Sequence, residues 1–539
     1  MSDISRRTFL KGTLFAGAAL GLGFYDSSLI RVNNRFDTII KGGVVYTGDG
    51  KAPYTGDIGI KDGKIAATGD LGVSADTIID AEGKMVTPGF IDIHTHSDGT
   101  ILRAPFGDSK IFQGVTSEIG GNCGDSPYPS EMWENIGKFY DATKALNPGL
   151  NFKSFVGQGQ LRSYVVGDND VPATAGQLTK MQNILEECME QGAAGISCGL
   201  EYTPGSYATD EEIAALCKIV AKHDGLFAIH MRNEDDRVEE AIKEAIEIAN
   251  MAGVRLEISH LKSQNAANWH KAPSMLSIIE KAWSDGLDVA FDRYPYIAFS
   301  TVMATFIPLS YRQGSDEEVV ARLRDDSLAK EMGINADAKI KRLGGPQNVM
   351  VTTCNQPDNR QFLGKNLEEC CKITGMEVWP FIRKLLIEEN MNVDIVGFGM
   401  NENNLKMFLS HRLGMPASDG SIYSPEGPLS LNMPHPRSYG TFPRFFGKYV
   451  RDEKIMDMST AVMKATSLPA SRLKLKGRGL LQPGYFADIN VINLPEYKDL
   501  ATYDKPHVFC KGVEHVFVNG IHTIKDGAPT GSRGGIILL

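Results

Sequence analysis

The chain has 539 residues, 42% of them hydrophobic and 23% charged, with a formal net charge of −10. That length suits one large domain with a smaller companion, or about three ordinary domains. The balance is that of a globular protein, and its negative charge argues against general nucleic-acid binding.

The N-terminus reads apart from the rest. Ser5 to Gly12, "SRRTFLKG", precedes an apolar run of 12 residues, Thr13 to Phe24. That run is short of the roughly 20 residues a bilayer span needs. A basic start and a short apolar core predict an export signal within residues 1–30. Arg6 and Arg7, followed by Phe9, Leu10 and Lys11, resemble a twin-arginine signal. That resemblance implies the twin-arginine export machinery as a partner and a periplasmic or exported location.

From Phe36 to Val86, β-branched residues alternate with Gly and Asp turn signals, as in "TIIKGGVVYTGDG". "GYFADINVINL" (Gly484 to Leu494) and "VEHVFVNGIHTI" (Val513 to Ile524) read the same way. Residues 36–86 and 470–530 are therefore expected to pair into one small β-sandwich built from both chain ends. Between them, over residues 87–469, short apolar strands alternate with helical patterns. That is the signature of βα units around a parallel sheet, and an eight-stranded (β/α)8 barrel accommodates it. A helix is predicted from Thr209 to His223, with Thr209 and Glu212 as a capping box. Another spans Arg237 to Ala252, striped by Ile242, Ala245, Ile246 and Ala249. Residues 308–392 form a polar, helical insertion, either a lid or a surface excursion. Within it "SDEEVVARLRDDSLAKEM" (Ser315 to Met332) predicts one exposed amphipathic helix.

Six metal-ligating residue types fall where strands end. His94 and His96 close "GFIDIHTH", and positions two apart on a strand share a face. Cys123 follows the next strand in "GVTSEIGGNCGDS". His230 ends "GLFAIH", His260 ends "VRLEISH", and Asp419 sits in "MPASDG". One such residue alone would be a core histidine, an inert thiol or a turn aspartate. Together they supply imidazole, thiolate and carboxylate, a ligand set that suits zinc. The other seven cysteines are scattered without a CxxC pair and read as buried thiols.

These motifs carry a resemblance. "PGFIDIHTHSD", "GVTSEIGGNCGDSP", "GLEYTPGSYAT", "IHMRNE", "ISHLKS", "DRYPY", "SDG" and "HPRSYGTFPR" resemble the amidohydrolase superfamily. Within it they are most similar to the N-acyl-D-amino-acid deacylases, or D-aminoacylases. The likeness covers nearly the whole chain after the signal. It implies a zinc hydrolase that cleaves the amide of an N-acyl amino acid, of D configuration, to a carboxylate and a free amino acid. Many superfamily members bridge two metals with a carboxylated lysine; this branch resembles them with a cysteine there, and Cys123 fits that slot. By that resemblance Cys123, His230 and His260 hold one tight zinc, while His94, His96 and Asp419 flank a second, weaker position. Asp419 is then the catalytic base and acid.

A small-molecule substrate with a free carboxylate needs a cation. Lys262 is the family-like candidate, with Tyr294 or Tyr296 nearby. An arginine before the "SDG" aspartate is also implied by resemblance, and Lys406 and Arg412 are the two residues offered for it. Two other readings stand beside this one. One is a related amidohydrolase acting on a cyclic amide or dipeptide-like substrate, against which Cys123 argues. The other is a non-catalytic barrel scaffold, which should have lost ligands that this chain retains.

Overall fold

Strands from the two ends of the chain share one sheet. The computed structural model describes residues 35–72 and 74–539, so the predicted export signal lies outside the described residues. Among the described residues no helix is long and apolar enough to cross a membrane. The chain begins with β1 (Phe36–Val45), β2 (Tyr54–Lys61), β3 (Lys64–Gly69), β4 (Ala75–Asp80) and β5 (Met85–Pro88). Short strands follow: β6 (Phe90–Asp92), β7 (Val115–Gly120), β8 (Asn151–Ser154), β9 (Val156–Gly157), β10 (Gly195–Gly199), β11 (Leu226–His230), β12 (Arg255–Ile258) and β13 (Val289–Arg293). An excursion carries β14 (Phe299–Val302), β15 (Val349–Val351) and β16 (Asp394–Gly397) before β17 (Gly414–Pro416). The last strands are β18 (Ile489–Ile492), β19 (Val513–Val518), β20 (Ile521–Lys525) and β21 (Ala528–Pro529).

The end-derived sheet runs β21-β20-β19-β18-β5-β1-β2-β3, with β4 beside β1. β18 joins β5 antiparallel, Val491 opposite Val86, so the late segment completes what the early one starts. Ile40, Ile58, Ile60, Val86, Ile489 and Phe517 pack on one face of it.

The middle strands are parallel. One set is β6-β7-β8 and the other β17-β13-β12-β11-β10-β9. The sets meet twice: only Phe155 separates β8 from β9, and Thr95 bridges Gly420 beyond β6 and β17. β7, β10, β11 and β13 are buried along their full length, as expected for parallel strands covered on both faces. Gly89 lets β6 approach β7, because a Cβ there would overlap Thr116. Helices α1 (Asp210–Lys222) and α2 (Val238–Ala252) follow β10 and β11 and bury Ile213, Leu216, Ile242 and Ile248. The result is a mixed α/β fold.

Two local expectations change. Thr209 does cap α1, accepting from the Glu212 N–H at 3.2 Å. The Glu212 carboxylate, however, takes Arg162 Nη1 at 2.7 Å; a buried guanidinium competes better for it than a helix-end N–H. The predicted single helix over Ser315 to Met332 is two, α3 (Asp316–Arg324) and α4 (Asp326–Arg342). Asp325 breaks it with extended backbone, and its side chain caps the N–H groups of Ser327 and Leu328. With α5 (Leu367–Thr374) and α6 (Val378–Glu388), these helices enclose a separate core containing Phe306, Leu323, Met332, Phe381 and Ile382. The excursion's antiparallel sheet, β14-β16-β15, uses residues on both sides of 308–392.

Candidate active site

All six predicted metal donors meet at the C-terminal ends of the parallel strands. Cys123 Sγ lies 3.3 Å from His94 Nε2 and 3.4 Å from His260 Nε2. His260 Nε2 is 3.0 Å from His230 Nδ1. Asp419 Oδ1 lies 3.0 Å from His96 Nε2 and 3.4 Å from His94 Nε2. Donor atoms of His94, Cys123, His260 and Asp419 all fall within 4.8 Å of one another, and so do those of His230, Glu234 and His260. His260 thus belongs to both groups, a different grouping from the expected partition.

The outward nitrogens of three histidines meet carboxylates. His94 Nδ1 is 3.1 Å from Asp292 Oδ2, His260 Nδ1 is 3.1 Å from Glu234 Oε1, and His230 Nε2 is 3.4 Å from Glu201 Oε2. Such partners fix ring orientation and leave the other nitrogen free for a metal. The donor set therefore fits zinc: soft thiolate and imidazole at the centre, a carboxylate at the edge.

For the thiol and the carboxylate the electrostatics favour the ligating forms. Burial would raise the Cys123 thiol, but the charges of His94 and His260 hold it well below its ordinary range. Burial would likewise raise Asp419; Arg437, His260 and His94 hold it well below the carboxylate range instead. Arg437 Nη1 donates to Asp419 Oδ2 at 2.7 Å. Burial works against charge on His96, yet Asp419 and Cys123 lift it to about 9.

The site opens into a cavity of about 1070 Å³. Lys262 lines it, with Nζ 2.5 Å from Glu234 Oε1 and 2.8 Å from His260 Nδ1. Tyr294 lines it too; its hydroxyl is buried with no hydrogen-bond partner among the described residues, and its ring lies under the Arg437 guanidinium at 4.9 Å. Tyr296 is turned away, donating to the Pro436 carbonyl at 3.4 Å. Lys406 and Arg412 also lie outside the lining. Lys406 is on the outer face of helix Glu402–Ser410 and pairs with Glu453 at 2.6 Å. Arg412 precedes β17 at the end opposite Asp419, with its guanidinium 3.8 Å from the Trp283 ring centre. The guanidinium beside Asp419 is Arg437, from "HPRSYGTFPR", which lies after that aspartate in the chain. The motif was visible in the sequence, but nothing in its spacing tied its arginine to Asp419. Glu234 and Asp292 were missed in the same way, though "IHMRNE" and "DRYPY" contain them.

The chain matches the amidohydrolase family over residues 77–343 and 427–524. It is 32% identical to a D-aminoacylase of Alcaligenes xylosoxydans xylosoxydans over 521 residues, 93% of this chain and 97% of that one. Its fold overlays an N-acyl-D-glutamate deacylase of Bordetella bronchiseptica, solved with zinc and a phosphonate mimic of the tetrahedral intermediate. The TM-score is 0.81 at 30% identity, over 94% of this chain and 99% of the other. A D-aminoacylase structure, described by one-metal activation and second-metal attenuation of a binuclear centre, overlays at TM-score 0.79 with 32% identity, covering 93% and 99%. The chain belongs to the amidohydrolase family, in its N-acyl-D-amino-acid deacylase branch.

Proposed function

We propose that this protein is a zinc-dependent deacylase that hydrolyses N-acyl-D-amino acids to a carboxylate and a free D-amino acid. The observation that carries the reading is the meeting of Cys123, four histidines and Asp419, with Arg437 holding the carboxylate. The sequence of the small sheet and the two parallel sets is read as a β-sandwich, residues 36–86 and 470–530, beside an eight-stranded barrel, residues 87–469. Its support is the second junction between the parallel sets at Thr95 and Gly420.

Cys123, His230 and His260 are proposed to hold a tight zinc, and His94, His96 and Asp419 a weaker position. Bound zinc lowers the pKa of water toward about 7 and polarises a carbonyl. The chain's own residues do the rest. Asp419 Oδ1 accepts the proton of the attacking water and passes it to the departing amine nitrogen. Arg437 keeps that carboxylate ionised and oriented through Oδ2. Lys262 and the free Tyr294 hydroxyl are placed to receive the substrate's α-carboxylate, and Arg437 offers its remaining N–H groups to the same anion. Export by the twin-arginine route is part of the proposal and rests on Arg6, Arg7 and the apolar run alone.

The test is hydrolysis of paired N-acetyl-D- and N-acetyl-L-amino acids by purified protein whose zinc has been measured. Release from D substrates by zinc-loaded protein is expected. No release from any D substrate would overturn the assignment, and full activity of metal-free protein would overturn the mechanism.

A further inference from the structure

The charged side chains around the cavity mostly come in pairs: Glu234 with Lys262, Glu201 with Lys339, Asp419 with Arg437. Asp394 differs. It opens β16, the middle strand of the excursion's sheet, opposite Val302. Its Oδ2 accepts a hydrogen bond from Thr353 Oγ1 at 2.8 Å, and it has no ion pair among the described residues. Both residues line the cavity. Asp125, Asp168 and Asp236 also line the cavity without an ion pair among the described residues, but Asp125 and Asp236 are exposed and Asp168 lies beside Tyr207 and Asp316, whereas Asp394 is half-buried in the wall near His96 and Arg437. Burial pushes the Asp394 carboxyl up, and His96 and Arg437 are the positive groups near enough to oppose that. Tyr423 is close enough that Asp394, after burial itself, helps push its phenol up to about 12.

We infer that Asp394 makes this deacylase select substrates whose amino-acid side chain carries a positive charge, an ammonium or a guanidinium. The inference rests on the N-acyl-D-amino-acid reading above. With the α-carboxylate at Arg437, the substrate's Cα is held near the excursion's wall, and a long side chain extends along it toward Asp394. Arg437 and His96 do not repel such a cation, because Asp419, which contacts both, and the α-carboxylate offset their charge. An ammonium or guanidinium gives Asp394 the partner that the fold withholds, with the Tyr423 ring beside it. An apolar side chain would desolvate the carboxylate without replacing its water, and an acidic one would meet a like charge.

The experiment measures kcat/KM of the zinc-loaded full chain on N-acetyl-D-lysine, N-acetyl-D-arginine, N-acetyl-D-methionine and N-acetyl-D-glutamate. The two cationic substrates should lead by about tenfold or more. Asp394→Asn should lower them about 10- to 100-fold and leave N-acetyl-D-methionine close to its parent value. Asp394→Lys should move the preference toward N-acetyl-D-glutamate. Turnover of N-acetyl-D-methionine with no lead for the cations, or an equal loss on every substrate in Asp394→Asn, overturns this inference alone. No turnover of all four overturns the deacylase reading and this inference with it.

Discussion

Three of the residues that meet in the cavity bend the backbone where L-amino acids seldom go: Cys123 at φ 53°, His260 at 38° and Asp419 at 50°. Each such residue costs on the order of 1 kcal/mol or more and persists only where its surroundings hold it. Here the holds are visible. The His260 N–H donates to Asp292 Oδ1 at 2.9 Å, and the Asp419 N–H donates to the His94 carbonyl at 2.9 Å. Asp292 therefore does two jobs, since its other oxygen faces His94 Nδ1. Asp292→Asn is expected to weaken zinc retention about 10- to 100-fold, read by titration with a chelator. Unchanged retention would mean the ring orientations are set elsewhere. Two further variants separate ligand from base. Cys123→Ala should come off the column depleted of zinc, because the thiol touching both His94 and His260 is gone. Asp419→Asn should keep its zinc while kcat falls by about 10² to 10⁴. Zinc loss in the second variant, or its retention in the first, would reverse those roles. The donors were legible in the sequence because histidine, cysteine and aspartate at strand ends have a chemistry of their own. Their partners were not, because Arg437, Glu234 and Asp292 are ordinary charged residues until the fold brings them near.

At the scale of elements, periodicity located strands and helices well and side-chain destinations poorly. "GLFAIH" and the Ile242 stripe are where the pattern puts them, as β11 and α2. Lys406 and Arg412 are the residues that the chain offers for the arginine implied by resemblance before the "SDG" aspartate. Lys406, however, lies on the face of its helix away from buried Leu405, Phe408 and Leu409, and Arg412 lies before a strand whose far end leads to Asp419. The charged surface of α3 and α4 masked the break at Asp325. It also masked how closely α4 meets α6: a Cβ on Gly333 would lie 2.5 Å from the Trp379 ring. Gly333→Val should push these helices apart and lower stability by about 1–3 kcal/mol, seen as a fall in Tm of the zinc-loaded protein. Its zinc content should not change, since Gly333 lies outside the cavity lining. An unaltered Tm would show that the two helices can separate freely.

For the whole molecule, the question is what fastens a sheet made of chain ends to the strands that carry the chemistry. Turn signals and β-branched runs foretold that both ends are β-rich, but not the polar joint between them, which forms across hundreds of residues. Asp488, just before β18, is its centre. It is buried and ion-paired with buried Arg478, and it accepts from the Asn519 N–H at 2.7 Å and from Asn151 Nδ2 at 3.2 Å. Asn151 begins β8, and Asn519 sits in the turn between β19 and β20, so one carboxylate touches the parallel set and the last strands at once. Arg478 Nη2 also donates to Asn519 Oδ1 at 2.7 Å. Removing the carboxylate leaves a guanidinium buried without its counter-charge, which costs more than the pair itself contributes. Asp488→Ala should therefore destabilise the zinc-loaded protein by about 3–5 kcal/mol, measured by denaturant unfolding. The protein that remains folded should keep its kcat and zinc content, because Asp488, Arg478, Asn151 and Asn519 all lie outside the cavity lining. A loss below about 1 kcal/mol, the scale of an exposed pair, would show that apolar packing between the two sheets suffices without this joint.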